Sequence, residues 1–318
     1  MRYYADEDNL HVRIYAMRGR LLSLKDYTSI IRDQGAFYDR LSATHDYVEA
    51  KETVFREQIA MVIHLAEATK KYSPLFIAFL RQYEISNAKL LFAKAFGRQS
   101  LDQWYDIGHY AILDRNLLQQ DLSPDDIRTI MADTYLKDVC EDISCYELPE
   151  IQMDISAARN LYKSSAQFLP ESREVFRDFM LRRITVITMI WHWRLKQSYH
   201  WSDERIKLFL ETFNNLNLFG GHAWPQARIV EETLNRHLEQ LRKSGAQAPS
   251  AEDIEYHLEQ YYYNWVSSIF HKDFHSIHCV VAYLWLLYYQ VRNLFHIVDG
   301  IRFGLPSGEI LERIICEV

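Results

Sequence analysis

The sequence predicts an all-α protein, and three observations carry that prediction. Glycine and proline are scarce, at 10 and 7 of 318 residues, about 5% together against roughly 12% in ordinary soluble chains. Helix-start chemistry recurs along the chain, with a serine three residues before an aspartate. Apolar residues then follow at three- and four-residue spacing, while no segment sustains a strand alternation bounded by turn pairs. An all-β sandwich and a doubly wound nucleotide fold both need more turn residues than this chain contains.

The elements follow in order. Ser23 with Asp26, Ser123 with Asp126, and Ser250 with Asp253 each place a hydroxyl at an N-cap and an acid near the positive helix end. Pro124 falls at a first helical position, where its missing N–H costs nothing. Ile127, Ile130, Met131 and Tyr135 continue one helical face; Ile206, Phe209, Leu210 and Phe213 continue another. Breaks are expected at 145–151 (CYELPEI), 169–171 (LPE), 214–225 (NNLNLFGGHAWP) and 242–250 (RKSGAQAPS). Residues 280–298 are apolar nearly all round, as a helix buried on most sides must be. Arg292, His296 and Asp299 form its one polar stripe, either a solvated edge with local ion pairing or a contact for a partner. None of the breaks is long enough to tether separate domains, so 1–318 reads as one multi-lobed unit.

The chain repeats internally. FLRQYEISN, ending at Asn87, lies over WLLYYQVRN, ending at Asn293, without a gap. Tyr83 then meets Tyr289, Ile85 meets Val291, and Trp104 meets Ile310. A fainter third copy spans 179–206, with Met189 where the others carry Asn.

Charge and composition exclude several functions. Lys and Arg number 36 against 43 Asp and Glu, a net charge of −7, which supplies no basic footprint for nucleic acid. Four cysteines make no disulfide framework and point to a reducing, cytosolic compartment. The polar N-terminal stretch is no secretory signal. The longest apolar run, 279–289, is far short of the roughly 20 residues a bilayer span needs.

Chemical motifs are sparse. The chain lacks a phosphate-cradling G-x-x-x-x-G-K-[ST] loop, G-x-S-x-G, H-E-x-x-H and CxxC. Gly220–Gly221 reads as a turn, and Cys140 and Cys145 as structural thiols. The enzyme-like cluster is His271, His275 and His278, at i, i+4 and i+7. On one helix these imidazoles would share a face and could bind zinc or iron with Asp273 or Cys279. Against this, the stretch falls where one helix ends and another begins. Tyrosine is abundant, at 21, and the triple at 261–263 points in three directions from a helix, so one ring should face a second surface.

Both ends of the chain resemble a known family. Arg13–Ile–Tyr–Ala–Met17–Arg–Gly–Arg–Leu21–Leu–Ser–Leu–Lys–Asp26–Tyr27 is similar to its opening helix, stop and acid-Tyr start. Thr44, Asp46 and Tyr47 resemble its Thr-acid-Tyr element, with His45 intervening. Tyr83–Glu–Ile–Ser–Asn87–Ala–Lys89 resembles its Tyr-Asp-[IV]-x-Asn-x-Lys. The closing stretch matches through Ala282–Tyr283–Leu284, Gln290–Val–Arg–Asn293–Leu294, Gly300, Gly304–Leu–Pro306 and Glu309–Ile310. The family is the C-subunit family of V-type (A/V-type) rotary ATPases, known as the d-subunit family in the eukaryotic enzyme. Gln290 and Glu84 depart from its usual Glu and Asp, and 110–265 resembles it only in helical character.

The resemblance implies a funnel-like, pseudo-threefold helical protein of three related lobes, about 1–145, 146–245 and 246–318. It would lie peripherally on the cytoplasmic side of the membrane proteolipid ring and receive the central axle. It would fix one to the other for proton or sodium transport while catalysing nothing and holding no cofactor or metal. Arg13, Arg18, Arg20, Tyr47, Tyr83, Glu84, Asn87, Lys89, Tyr283, Arg292 and Asn293 are the structural or interface residues it implies. The alternatives are a helical metal enzyme using His271, His275 and His278, and a generic helical scaffold.

Overall fold

The computed structural model describes residues 7–41, 46–98, 103–132, 134, 147–214, 227–243, 249–272 and 276–317, and these contain helices and turns without a strand. Short helices α1 (Glu7–Arg18), α2 (Leu24–Arg32) and α3 (Gln34–Leu41) lead into the long pair α4 (Tyr47–Ala68) and α5 (Ser73–Ala95). After α6 (Pro124–Met131) comes a second pair, α7 (Glu147–Lys163) and α8 (Pro170–Gln197), then α9 (Asp203–Asn214) and α10 (Ala227–Lys243). The third pair is α11 (Ala251–Phe270) and α12 (Ile277–Arg302), and α13 (Ser307–Glu312) closes the chain.

All three serine–aspartate starts are capping boxes. The Asp26, Asp126 and Asp253 carboxylates accept from the Ser23, Ser123 and Ser250 backbone N–H at 2.8–2.9 Å, and the serine hydroxyls accept in return from the aspartate N–H. The same serine bonds hold all three carboxyls below their ordinary range, with the backbone bond foremost at Asp253, where Arg313 adds to it. Asp46 caps α4 through the Val48 and Glu49 N–H groups, so the intervening His45 leaves the acid-Tyr start intact.

The three pairs interlock. α4 packs on α5 and on α12, α7 on α8 and on α5, and α11 on α12 and on α8. Each first helix therefore touches its own partner and the second helix of another pair, and the six close a cycle. α12 also meets α1, α8 and α13, which explains why it is apolar nearly all round. Trp285 stands edge-on to Phe79 of α5 and Tyr262 of α11, with ring centroids at 6.3 and 5.5 Å. Each such ring contributes about 1.5–3 kcal/mol on burial, besides about 0.5–1.5 kcal/mol for the edge-to-face contact.

Two of the second helices of the pairs, α5 and α12, end alike. Gly97 after α5 and Gly304 after α12 adopt φ of 68° and 65°. In both, the next N–H reaches back five residues, Arg98 to Ala93 O and Leu305 to Gly300 O, at 2.8 and 2.9 Å. That is the Schellman arrangement, which needs a left-handed residue where glycine is cheapest. After α8 the left-handed residue is His200, φ 55°. Met189 precedes it by the same interval that separates Asn293 from Gly304.

Two expectations need correction. The break at 145–151 is narrower than its composition suggests, because α7 starts at Glu147 and Pro149 lies in its first turn, where no intrahelical N–H bond is due. The one-face reading of the histidines fails because α11 stops at Phe270. His271 is its C-cap, and α12 starts at Ile277 with Ser276 as N-cap. His278 binds the Ser276 hydroxyl through Nδ1 at 2.5 Å. His275 and Asp273 lie outside the described residues, as do Cys140, Cys145, Thr44, Tyr135 and the Gly220–Gly221 pair. In the tyrosine triple, Tyr262 and Tyr263 are buried and Tyr261 faces solvent.

Candidate functional site

The repeated asparagines do the same work in both copies. Asn87 donates from Nδ2 to Tyr105 O at 2.9 Å and accepts from Tyr105 N–H at 2.8 Å. Asn293 donates to Ile315 O at 2.7 Å and accepts from Ile315 N–H at 2.9 Å. A buried carboxamide has one donor face and one acceptor face side by side, so it can pair with a backbone as another backbone would. Each Asn thereby clips the segment that follows its helix back onto that helix. Glu84 and Gln290 stand at matching repeat positions, but of the two Glu84 adds to its clip while Gln290 ties α12 to the segment after α1 and to α4. The Glu84 carboxylate accepts from Ile112 N–H and, at 2.7 Å, from Leu113 N–H. Gln290 accepts from Leu22 N–H at 2.6 Å and donates to Gln58 at 2.5 Å, so an amide there satisfies two partners at once.

The remaining family-motif residues scatter. Arg18 reaches Glu317 at 3.0 Å and packs over Phe270; Arg13 is half-buried on α1, and Arg20 is exposed just after it. Tyr47 lies under the Arg302 guanidinium at 3.6 Å. Tyr283 is buried in α12, where burial raises its phenol above the usual range.

Tyr83, Lys89 and Arg292 come together around a cavity of about 350 Å³ lined by α5, α7, α8, α11 and α12. On one side Lys89 holds both Asp154 oxygens at 2.8 and 2.9 Å, and Trp191 donates to the same carboxylate at 3.2 Å, joining α5, α7 and α8. On the other side runs an alternating charge chain. Glu259 binds Arg183 at 2.5 Å, Arg292 at 3.0 Å and the Tyr289 hydroxyl at 2.5 Å. Arg292 also binds Glu255 at 3.0 Å, and Glu255 binds Arg194. Burial alone would raise the Glu259 carboxyl. The Arg183 and Arg292 guanidinia and its two hydrogen bonds outweigh that and hold it at about 2.

Sequence reasoning singled out Arg292 but missed Arg183, Arg194, Glu255 and Glu259. Glu255 and Glu259, four apart on an aromatic-rich helix, were the available signal. The polar stripe of α12 is no solvated edge with local pairing. Arg292 pairs with α11, His296 meets Ile310 O at 3.2 Å, and Asp299 pairs with Lys51 of α4 at 2.6 Å.

Among the described residues, which do not include His275, no group of three His, Cys, Asp or Glu could hold a metal ion. A family model described as ATP synthase (C/AC39) subunit matches residues 10–313. No curated protein matches the chain.

Proposed function

Because the chain belongs to the ATP synthase (C/AC39) subunit family, we infer that it is the central-stalk component that joins the axle of a V-type rotary ATPase to its membrane proteolipid ring. The family gives it a non-catalytic place in a rotary ATPase and implies association with axle and ring. The finer reading is that the chain forms a pseudo-threefold funnel of three lobes, about 1–145, 146–245 and 246–318, each built on one helix pair. One end would take the axle, the other would sit on the cytoplasmic face of the ring, and torque would pass between them during proton or sodium transport.

The observation that carries this reading is the closed cycle in which each pair grips the next. A torque-bearing part must resist twisting, and a ring of helices packed through buried aromatics has no free edge at which to shear. No described helix is long and apolar enough to cross a membrane, so on this reading the protein meets the bilayer through the ring.

The test is mass spectrometry of what copurifies with the tagged chain from mildly solubilised native membranes. ATPase head subunits, axle and proteolipid recovered together are the expected result. Recovery of the chain with soluble partners alone would overturn it.

A further inference from the structure

We propose that the cavity between α5, α8 and α12 is a binding site for a small oxyanion, a phosphate- or carboxylate-bearing molecule. The charge of its described lining is the first reason. Four cations, Lys89, Arg183, Arg194 and Arg292, line it beside the carboxylates of Asp154, Glu255 and Glu259. Those three carboxylates are already engaged: Asp154 by Lys89 and Trp191, Glu255 by two arginines, Glu259 by two arginines and a tyrosine.

The second reason is unmet donor capacity. Among the lining side chains, Arg183 Nε, the Tyr83 hydroxyl and Gln82 Nε2 are buried without a hydrogen-bond partner. Arg183 and Tyr83 are only 7% and 4% exposed. An unpaired buried donor is costly, on the order of 1–3 kcal/mol, and an acceptor carrying negative charge would answer it while meeting the cations around it. Arg183 is preorganised for such a role, because the rings of Trp285, Tyr262 and Tyr288 hold its guanidinium at 5.1–5.7 Å. Arg194 and Arg292, each about one-third exposed, stand on the solvent side and open a way in.

A cavity of about 350 Å³ falls at the lower end of the range of small-molecule sites. A ligand held there goes beyond the rotary reading.

Thermal unfolding of the isolated full chain, titrated with inorganic phosphate or citrate at ionic strength held constant with chloride, tests the site. A saturable rise in midpoint with at least one of the two is expected, and which one distinguishes phosphate from carboxylate. Arg194→Gln should weaken the apparent affinity about tenfold and Tyr83→Phe several-fold, while Arg40→Gln, outside the cavity, should leave it unchanged. No saturable response to either anion overturns the proposal. So does an equal response in the Arg194→Gln/Tyr83→Phe double variant, which would mark a general ion effect. Tyr83→Phe keeps the ring and its packing, so its comparison does not depend on a variant that fails to fold. Copurification of the axle and ring with no anion response would discard this site and leave the rotary reading standing.

Discussion

Asn87 and Asn293 hold the backbones of Tyr105 and Ile315 with the same reciprocal pair of hydrogen bonds. Two aromatic helices could match by composition alone. They would not by that route acquire one carboxamide at the same position, closing the same clip on the segment that follows.

Removing that clip should cost more in the second copy than in the first. Ile315 is buried and Tyr105 half-buried, so an unpaired N–H and C=O at Ile315 have less access to water. Asn293→Ala is expected to lower stability by about 2–4 kcal/mol and Asn87→Ala by less. Urea denaturation of the two variants reads the difference; equal losses would mean the clips are not what burial makes them. Asn293→Asp should be least harmful in acid, where the protonated carboxyl can still donate to Ile315 O.

His200 stands exposed at a left-handed turn where its counterparts are Gly97 and Gly304. The Cβ penalty in that conformation is about 1–2 kcal/mol, partly offset by the entropy a glycine loses on folding. His200→Gly should raise stability by about 0.5–1 kcal/mol, whereas the β-branched His200→Val should lower it. A fall in the unfolding midpoint on introducing glycine would contradict the backbone cost assigned to His200.

Much of this architecture was legible because it rests on local chemistry. Ser23, Ser123 and Ser250 cap through bonds spanning three residues, and Asn87 and Asn293 share neighbours close in sequence. The charge chain was not legible, because Arg183 and Glu259 meet from α8 and α11 and no spacing rule links them. Arg292 was visible only against its own helix, where it looked like part of a solvated stripe. His271 and His278 show the opposite failure. Their interval fits a helix that the chain does not form there, since Ser276 caps a new one.

Acid should loosen α10 from α11. His237 Nδ1 and His257 Nε2 share a hydrogen bond of 3.1 Å, and Tyr261 packs edge-on against His237. One nitrogen must donate and the other accept, so a doubly protonated pair has no acceptor. Burial, then His257 and Arg236, push His237 down to about 4, against about 6.5 in an unfolded chain. The folded state thus binds fewer protons, and the stabilisation is complete above pH 6.5 and lost as pH falls toward 4. The expected loss is about 1–3 kcal/mol. His192, His257 and His296 are lowered too, chiefly by burial, and act in the same direction. His237→Leu should therefore show a shallower decline in unfolding free energy from pH 7 to pH 4.5, not a flat one. An unchanged slope would remove His237 from the account.

The Arg183–Glu259 pair should behave as a coupled unit. Both side chains are under 10% exposed and bonded at 2.5 Å. Taking two charges out of water costs nearly what their attraction returns, so the pair adds little net stability over well-packed apolar groups. Breaking it is different, because the survivor is a buried charge short of its partner. Glu259→Gln leaves Arg183 facing a neutral amide and should cost about 3–5 kcal/mol. Arg183→Met leaves Glu259 with Arg292 and Tyr289 and should cost less, because one guanidinium remains. In the double variant Arg183→Met/Glu259→Met, Arg292 keeps Glu255 and only the Tyr289 hydroxyl loses its acceptor. Its loss should fall well short of the sum of the losses measured for Arg183→Met and Glu259→Met separately, a coupling of about 2 kcal/mol or more. A double-mutant cycle by urea denaturation measures it. Strict additivity would mean that the two charges do not sense each other across α8 and α11, and that the chain of alternating charges is not what joins these helices.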